Sequence, residues 1–173
     1  MSATFSTQRL VIHELSSPIA GKDRQPLLKA ALNILTPNVV QQLPNYFHNI
    51  VSEQDADLWY QKMLCESRML VIKTHDTQQL IGFIFAYTDG RHAHIGYLLA
   101  ENYWRQGLAK EALSGFINWA KTHRQWDTLI AGVGADNIGS CKLLLKLGFV
   151  RTSSADDESL FYQLALNPEH KSR

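Results

Sequence analysis

Apolar residues recur along the chain at two periods, and the places where one period gives way to the other mark the elements. "RLVIHEL" (9–15) alternates as a first strand, and "SSPIAGKDR" breaks the pattern. "DRQPLLKAALNILTPNVVQQ" (23–42) is helical in composition, with Asp23 a candidate N-cap and Pro37 an interruption. "SEQDADLWYQKMLCES" (52–67) is a clearer helix: Ser52 or Asp55 caps it, and Leu58, Trp59, Met63 and Cys65 approximate one apolar face. Three β-rich runs follow, "RMLVIKT", "LIGFIFAYT" and "HAHIGYLLAE", with "HDTQQ" and "DG" as turns between them, and they read as an antiparallel meander. From Gly107 to about Arg124 the period returns to helical, with Leu108, Ala112, Leu113, Phe116, Ile117 and Ala120 on one stripe. "DTLIAGVGA" is a further strand. "DNIGSCKLLLKLG" is a short helix, capped by Asp136 or Asn137 and ended by Gly148. "FVRTSS" and "LFYQLAL" close the chain as strands around the acidic loop "ADDES". The order predicts one α/β domain, residues 1–173, on a central mixed, mostly antiparallel sheet of about seven strands flanked by helices.

Length changes little in that picture, because 173 residues suit one domain with a sizeable core. A net charge of +1 gives no reason to expect nucleic acid or another general polyanion as partner. Cys65 and Cys141 lie far apart with no CxxC pattern, so the expected setting is a reducing cytoplasm. "MSATFSTQRLVIHEL" has no long apolar core, and no run nears the roughly 18 apolar residues of a span, so no membrane contact is expected.

Candidate chemistry begins at "YWRQGLAKEAL" (103–113), where the extended run gives way to the helix. Gly107 and Ala109 are small at the joint. They relieve a tight turn, or they let an anion approach backbone N–H groups at the positive end of a helix. "N-x-x-S", Asn137 and Ser140, has the same double reading: an N-cap with a polar neighbour, or a ligand-facing pair on a first helical turn.

Three segments together resemble the GNAT superfamily of acyl-CoA-dependent N-acetyltransferases, over nearly the whole chain. "TQRLVIHEL" is similar to the opening "T-x-R-L" strand of the branch that contains the ribosomal-protein N-terminal acetyltransferases. "IGYLLAENYWRQGLAKEAL" is similar to that branch's acetyl-CoA signature, including "YW" where much of the superfamily has Gln or Arg. "GADNIGSCKLLLKLGFVRT" is similar to its "N-x-x-S…LEKLGF" helix. The resemblance implies a GNAT fold with a V-shaped splay between the fourth and fifth strands, and acetyl-CoA as acyl-donor cosubstrate without a metal. Its pantetheine arm would pair with the splayed strand as an added strand. Carried over by motif, Leu99 faces the thioester end. Gln106, Gly107, Leu108, Ala109 and Lys110 give backbone N–H groups to the pyrophosphate, with Lys110 or Arg105 adding charge. Asn137 contacts the pantetheine amides, and Ser140 lies near the sulfur.

Acetyl transfer from a thioester to an amine needs a base for the ammonium, stabilisation of the oxyanion, and help for the leaving thiolate. The tyrosine that serves as acid in the family corresponds to Leu144 here, which leaves Ser140 as the substitute. A CoA thiolate also leaves without a dedicated acid, its pKa being not far above neutral. The family's acidic residue before "IGY" corresponds to His94, an imidazole suited to take a proton near neutrality. His92 shares its strand parity, Tyr97 has the opposite parity, and Glu101 is a further candidate. "HAH" lacks the additional ligands a metal needs, and Cys141 reads as a packing residue. The implied acceptor is a primary amine, most readily a protein N-terminus of the ribosomal-protein type. A polyamine, amino acid or antibiotic is the alternative, as is a non-catalytic acetyl-CoA-binding module. Asn45, Tyr46, Phe47, His48 and Trp59 either line an acceptor groove or belong to the core, and "ADDES" either attracts a cation or is simply solvated. The enzyme is expected as a monomer or homodimer.

Overall fold

The computed structural model describes residues 2–15, 21–123, 125–152 and 159–167. Eight strands among them form one sheet: β1 (Thr4–Ser6), β2 (Leu10–Glu14), β3 (Arg68–Thr74), β4 (Leu80–Asp89), β5 (His92–Leu99), β6 (Thr128–Gly134), β7 (Val150–Thr152) and β8 (Ser159–Ala165). Five α-helices flank it: α1 (Arg24–Ile34), α2 (Pro37–Val40), α3 (Glu53–Glu66), α4 (Leu108–His123) and α5 (Ile138–Lys146). The sheet order is β1-β2-β3-β4-β5-β6-β8-β7. Every neighbouring pair is antiparallel except β5 and β6, which the α4 crossover makes parallel. The strand beyond the expected seven is β1, three residues too short to show an alternation of their own, paired with β2 from Thr4↔His13 to Ser6↔Val11. The loop "ADDES" lies outside the described residues up to position 158, and Arg124 lies outside them too.

Local chemistry explains where the helices begin. Ser52 caps α3 through a reciprocal capping box: Asp55 N–H donates to Ser52 Oγ at 3.1 Å and Ser52 N–H donates to Asp55 Oδ2 at 2.9 Å. Asp23 stands at the N-cap of α1 but makes no side-chain cap bond, because a 3-10 turn over Gly21–Asp23 already leads into the helix. Pro37 sits in the first turn of α2, where its missing N–H costs nothing, so the segment expected as one interrupted helix is two. The buried stripe of α3 is Ala56, Trp59, Tyr60 and Met63; Leu58 and Cys65, expected on that face, are exposed.

The two sheet faces hold two cores. Helices α1 and α3 cover Phe83, Phe85 and Leu98, with Phe47 and Trp59 packed among them. On the other face α4 and α5 cover Ala93, Ile95, Leu99 and Leu129 with Phe116, Trp126 and Leu144. Strand β5 thus sends odd-numbered side chains to one core and Leu98 to the other, as strand alternation requires.

The sheet parts at β5 and β6. Their parallel pairing runs from His92↔Thr128 to Ile95↔Ala131 and stops, although β5 continues to Leu99 and β6 to Gly134. Each strand stays with its outer partner instead: β5 with β4 as far as Leu99↔Gly82, and β6 with β8 as far as Gly134↔Ser159. This is the splay expected between the fourth and fifth strands, shifted by one in count because β1 precedes them. Among the described residues no helix is long and apolar enough to cross a membrane.

Gly82 marks how tightly β4 holds β5 beside the opening. A Cβ there would lie 2.3 Å from the Leu98 carbonyl oxygen and 3.1 Å from Leu99 Cα, main-chain atoms that cannot step aside. Gly82→Ala should therefore cost about 2–3 kcal/mol, the scale of overpacking a close contact. Denaturant unfolding monitored by tryptophan fluorescence checks this; a loss under about 0.5 kcal/mol would mean that the two strands are not so closely apposed.

Candidate functional site

Where the sheet parts, a cleft of about 850 Å³ opens between β5, β6, the N-terminal turn of α4 and the face of α5. Of the residues singled out from the sequence, Leu99, Arg105, Gly107, Leu108, Ala109, Lys110, Asn137 and Ser140 all lie on its wall. Two do not. Gln106 turns its side chain away, Nε2 donating to the Asn102 carbonyl at 2.9 Å. His94 leaves β5 on the opposite face from Tyr97, stands exposed, and meets Tyr87 with 6.3 Å between ring centres. His92 shares that exposed face.

One end of the cleft is the joint between β5 and α4. After a 3-10 turn at Glu101–Tyr103, Arg105 and Gly107 both take positive φ, 59° and 75°. Only glycine adopts that conformation without strain, which accounts for Gly107. Arg105 holds it against a cost of about 1–2 kcal/mol. The joint is braced from two sides. Trp104 Nε1 donates to the Leu99 carbonyl at 2.8 Å. From the start of β2, Arg9 donates through Nη1 to the Gln106 carbonyl at 2.9 Å and through Nε to Glu111 Oε2 at 2.7 Å. Glu111 Oε1 accepts from the Arg9 N–H at 2.7 Å and from Thr7 Oγ1 at 2.6 Å. Burial alone would raise the Glu111 carboxyl, but these donors outweigh it and hold the group below the usual carboxylate range.

The other end is built by β5 and α5. Asn137 caps α5, Oδ1 accepting from the Ser140 N–H at 3.2 Å. Tyr97 donates its hydroxyl to Ser140 Oγ at 2.9 Å, and burial pushes the Tyr97 phenol above its ordinary range, so it stays protonated. Leu144, one helical turn beyond Ser140, is wholly buried in the core. The two hydroxyls thus meet on the cleft wall, the phenol from β5 and the serine from α5. Cys141 packs partly buried against the same core.

Backbone direction along β5 follows from one bond. Ala100 N–H donates to the Ile81 carbonyl, toward β4, so alternation turns the main-chain groups of Leu99 to the cleft side. The Leu99 carbonyl there is taken by Trp104, leaving its N–H facing the opening. The described lining carries four cations, Arg105, Lys110, Lys142 and Lys146, and no carboxylate. Four cations around small residues and a helix N-terminus suit a polyanion. No group of three or more His, Cys, Asp or Glu among the described residues could hold a metal ion. The segment expected to offer an acceptor groove divides. Phe47 and Trp59 are core residues, Tyr46 is half-exposed under Lys62, and His48 Nε2 lies 2.8 Å from the Leu43 carbonyl. Asn38, Gln41 and Gln42, from α2 and the turn after it, reach the cleft wall in their place.

A family model described as acetyltransferase (GNAT) domain matches residues 17–150. Uncharacterized N-acetyltransferase YoaA of Bacillus subtilis (strain 168) is 36% identical over 81 residues, which are 45% of this chain and 46% of that protein. The chain thus spans about half the length of the curated relative it matches. Among solved structures, RimL, a ribosomal L7/L12 alpha-N-protein acetyltransferase in complex with coenzyme A, has a TM-score of 0.73 at 14% identity, over 89% of this chain and 93% of its own. The microcin C7 self-immunity acetyltransferase MccE, in complex with acetyl-CoA and AMP, has a TM-score of 0.70 at 16% identity, over 89% and 92%. At such identities the likeness is one of fold.

Trp104→Phe removes the donor from the Leu99 carbonyl while keeping an aromatic ring. It should cost about 1 kcal/mol, the usual worth of one hydrogen bond, and should loosen the joint. Hydrogen exchange at Ala100, whose N–H is bonded to the Ile81 carbonyl, reads the loosening, and unchanged exchange would remove Trp104 from the brace.

Proposed function

The chain belongs to the GNAT acetyltransferase family, a family of acyltransferases, and from that membership we propose that it moves an acetyl group from acetyl-CoA to the primary amine of a protein N-terminus, directly within a ternary complex. The observation that carries this reading is the parted sheet, with an unpaired Leu99 N–H at one point and a cationic, glycine-containing helix start at the other. The residues present fit the donor. Its pantetheine arm finds the unpaired edge of β5. Its pyrophosphate finds the first N–H groups of α4, from Gly107 to Lys110, which have no partner inside the helix. Asn137 stands beside the arm and Ser140 near the sulfur.

In the transfer the amine nitrogen bonds to the acetyl carbon, the carbon–sulfur bond breaks, and a proton leaves the nitrogen. Ser140 is assigned to the departing sulfur. With the Tyr97 phenol donating to its oxygen, the serine's own hydrogen is free to point at the thiolate. His94 is assigned to the amine. Its ring stands on the exposed face of β5, opposite the Tyr97–Ser140 pair, so this assignment has the amine approach over that face. A protein N-terminus as acceptor rests on the "T-x-R-L" and "IGY…YW" resemblance and on the likeness of fold to RimL.

Three measurements test the reading. Acetylation of basic and neutral N-terminal peptides should exceed that of polyamines, amino acids and aminoglycosides; a preference for the small amines would refute the peptide acceptor, and no CoA release with any amine would leave a binding module. Gly107→Val should abolish CoA binding while the melting curve still reports a folded domain, because a side chain at φ 75° would displace the backbone from the phosphate. Wild-type affinity in that variant would end the phosphate assignment. His94→Ala should lower turnover by roughly 10² with CoA affinity kept. A near-normal rate would show that the amine arrives already deprotonated.

A further inference from the structure

The geometry points to Arg9 as the residue that aims the pyrophosphate-binding turn, a positioning role that rests on the donor site proposed above. Arg9 is far from the cleft in sequence and is not on its wall, yet its guanidinium reaches the turn from the residue just before β2. Nη1 holds the Gln106 carbonyl at 2.9 Å. That carbonyl shares one planar peptide with the Gly107 N–H, and the peptide is trans. In a trans peptide the C=O and N–H point in opposite directions. Fixing the oxygen on the Arg9 side therefore turns the Gly107 N–H away from it, toward the cleft that Gly107 lines. The turn needs such a hold, because Arg105 and Gly107 on either side of Gln106 both have positive φ.

Arg9 is itself fixed. Its Nε bonds to Glu111 Oε2, its own N–H to Glu111 Oε1, and its carbonyl accepts from the His75 N–H at 2.8 Å. Glu111 belongs to the first turn of α4, and its N–H closes that turn on the Gly107 carbonyl at 3.1 Å. One guanidinium thus ties the start of β2, the turn and the helix into a single unit. It also pairs the one carboxylate in the first turn of a helix whose N-terminus must accept an anion. Lysine could not replace it, since a single ammonium cannot hold the Glu111 carboxylate and the Gln106 carbonyl in a fixed fork.

The test is titration calorimetry on the full chain with CoA and 3′-dephospho-CoA, and with pantetheine by displacement. Pantetheine lacks the pyrophosphate. If the wild-type protein binds CoA no better than pantetheine, the pyrophosphate reading itself fails, whatever Arg9 does. Given that preference, Arg9→Met and Arg9→Lys should each weaken CoA and dephospho-CoA alike, by roughly ten-fold or more, the effect of losing hydrogen bonds from a charged group. Pantetheine should bind as before. Equal loss of all three ligands would make Arg9 a general brace of the fold. Loss of CoA alone would make it a direct contact to the 3′-phosphate. Wild-type binding by Arg9→Lys would reduce its role to charge. Each of these overturns the assignment. Should Arg9→Met fail to fold, Arg9→Lys and Glu111→Gln carry the test, the latter keeping an acceptor for the Arg9 N–H while slackening the guanidinium.

Discussion

Two strands that stop pairing while both continue are the constraint on which the site depends. A sheet interior normally satisfies every main-chain donor, and a strand left unpaired on one side invites another strand. Here β5 keeps β4 and β6 keeps β8, so the gap between them is held open by pairing on its outer sides. Gly82 lets β4 approach β5 closely enough to keep that outer ladder intact to Leu99. The crossover helix α4 starts where β5 ends, which brings its unpaired N–H groups to one end of the opening. Helix α5 follows β6 and brings Asn137 and Ser140 to the other. Both groups of cleft residues are placed by the same parting of strands.

Within that frame, β5 has a different job on each face. Tyr97 points into the α4–α5 core and meets Ser140; His94 points to the exposed face with Tyr87. Alternation separates the two side chains as firmly as a wall would. Only where the ladder ends can chemistry on one face meet a group arriving from the other, because elsewhere the paired main chain fills the space.

Local signals in the sequence carried most of this architecture. The two hydrophobic periods marked the meander, the crossover helix and the order of elements, and a glycine at a strand-to-helix joint marked the turn that needs positive φ. Parity alone separated Tyr97 from His94. Contacts between residues distant in the chain were not legible, since spacing says nothing of a partner a hundred positions away. The Tyr97–Ser140 pair spans 43 residues and the Arg9–Glu111 pair spans 102. Leucine at position 144 gave no hint of the phenol that β5 brings to Ser140. The motif pointed to the backbone N–H of Gln106 and said nothing of its carbonyl, which Arg9 grips. Leu58 was placed on the buried stripe of α3 because it is apolar, but Tyr60, an aromatic with a polar tip, packs there and leaves the leucine outside.

Charge makes the same point from another side. Over the whole chain the charges nearly cancel, which by itself argues against an anionic partner. Folding gathers Arg105 and Lys110 from one segment and Lys142 and Lys146 from another around one cleft. Two nearby carboxylates are drawn aside: Glu101 accepts from Asn38 Nδ2 at 3.2 Å, and Asp136 accepts from Gln42 Nε2 at 3.4 Å. Those amides line the cleft while the carboxylates do not. A local excess of four cations thus arises in a protein of almost no net charge, and because screening acts over about 8–10 Å, that local arrangement and not the sum is what an approaching phosphate meets.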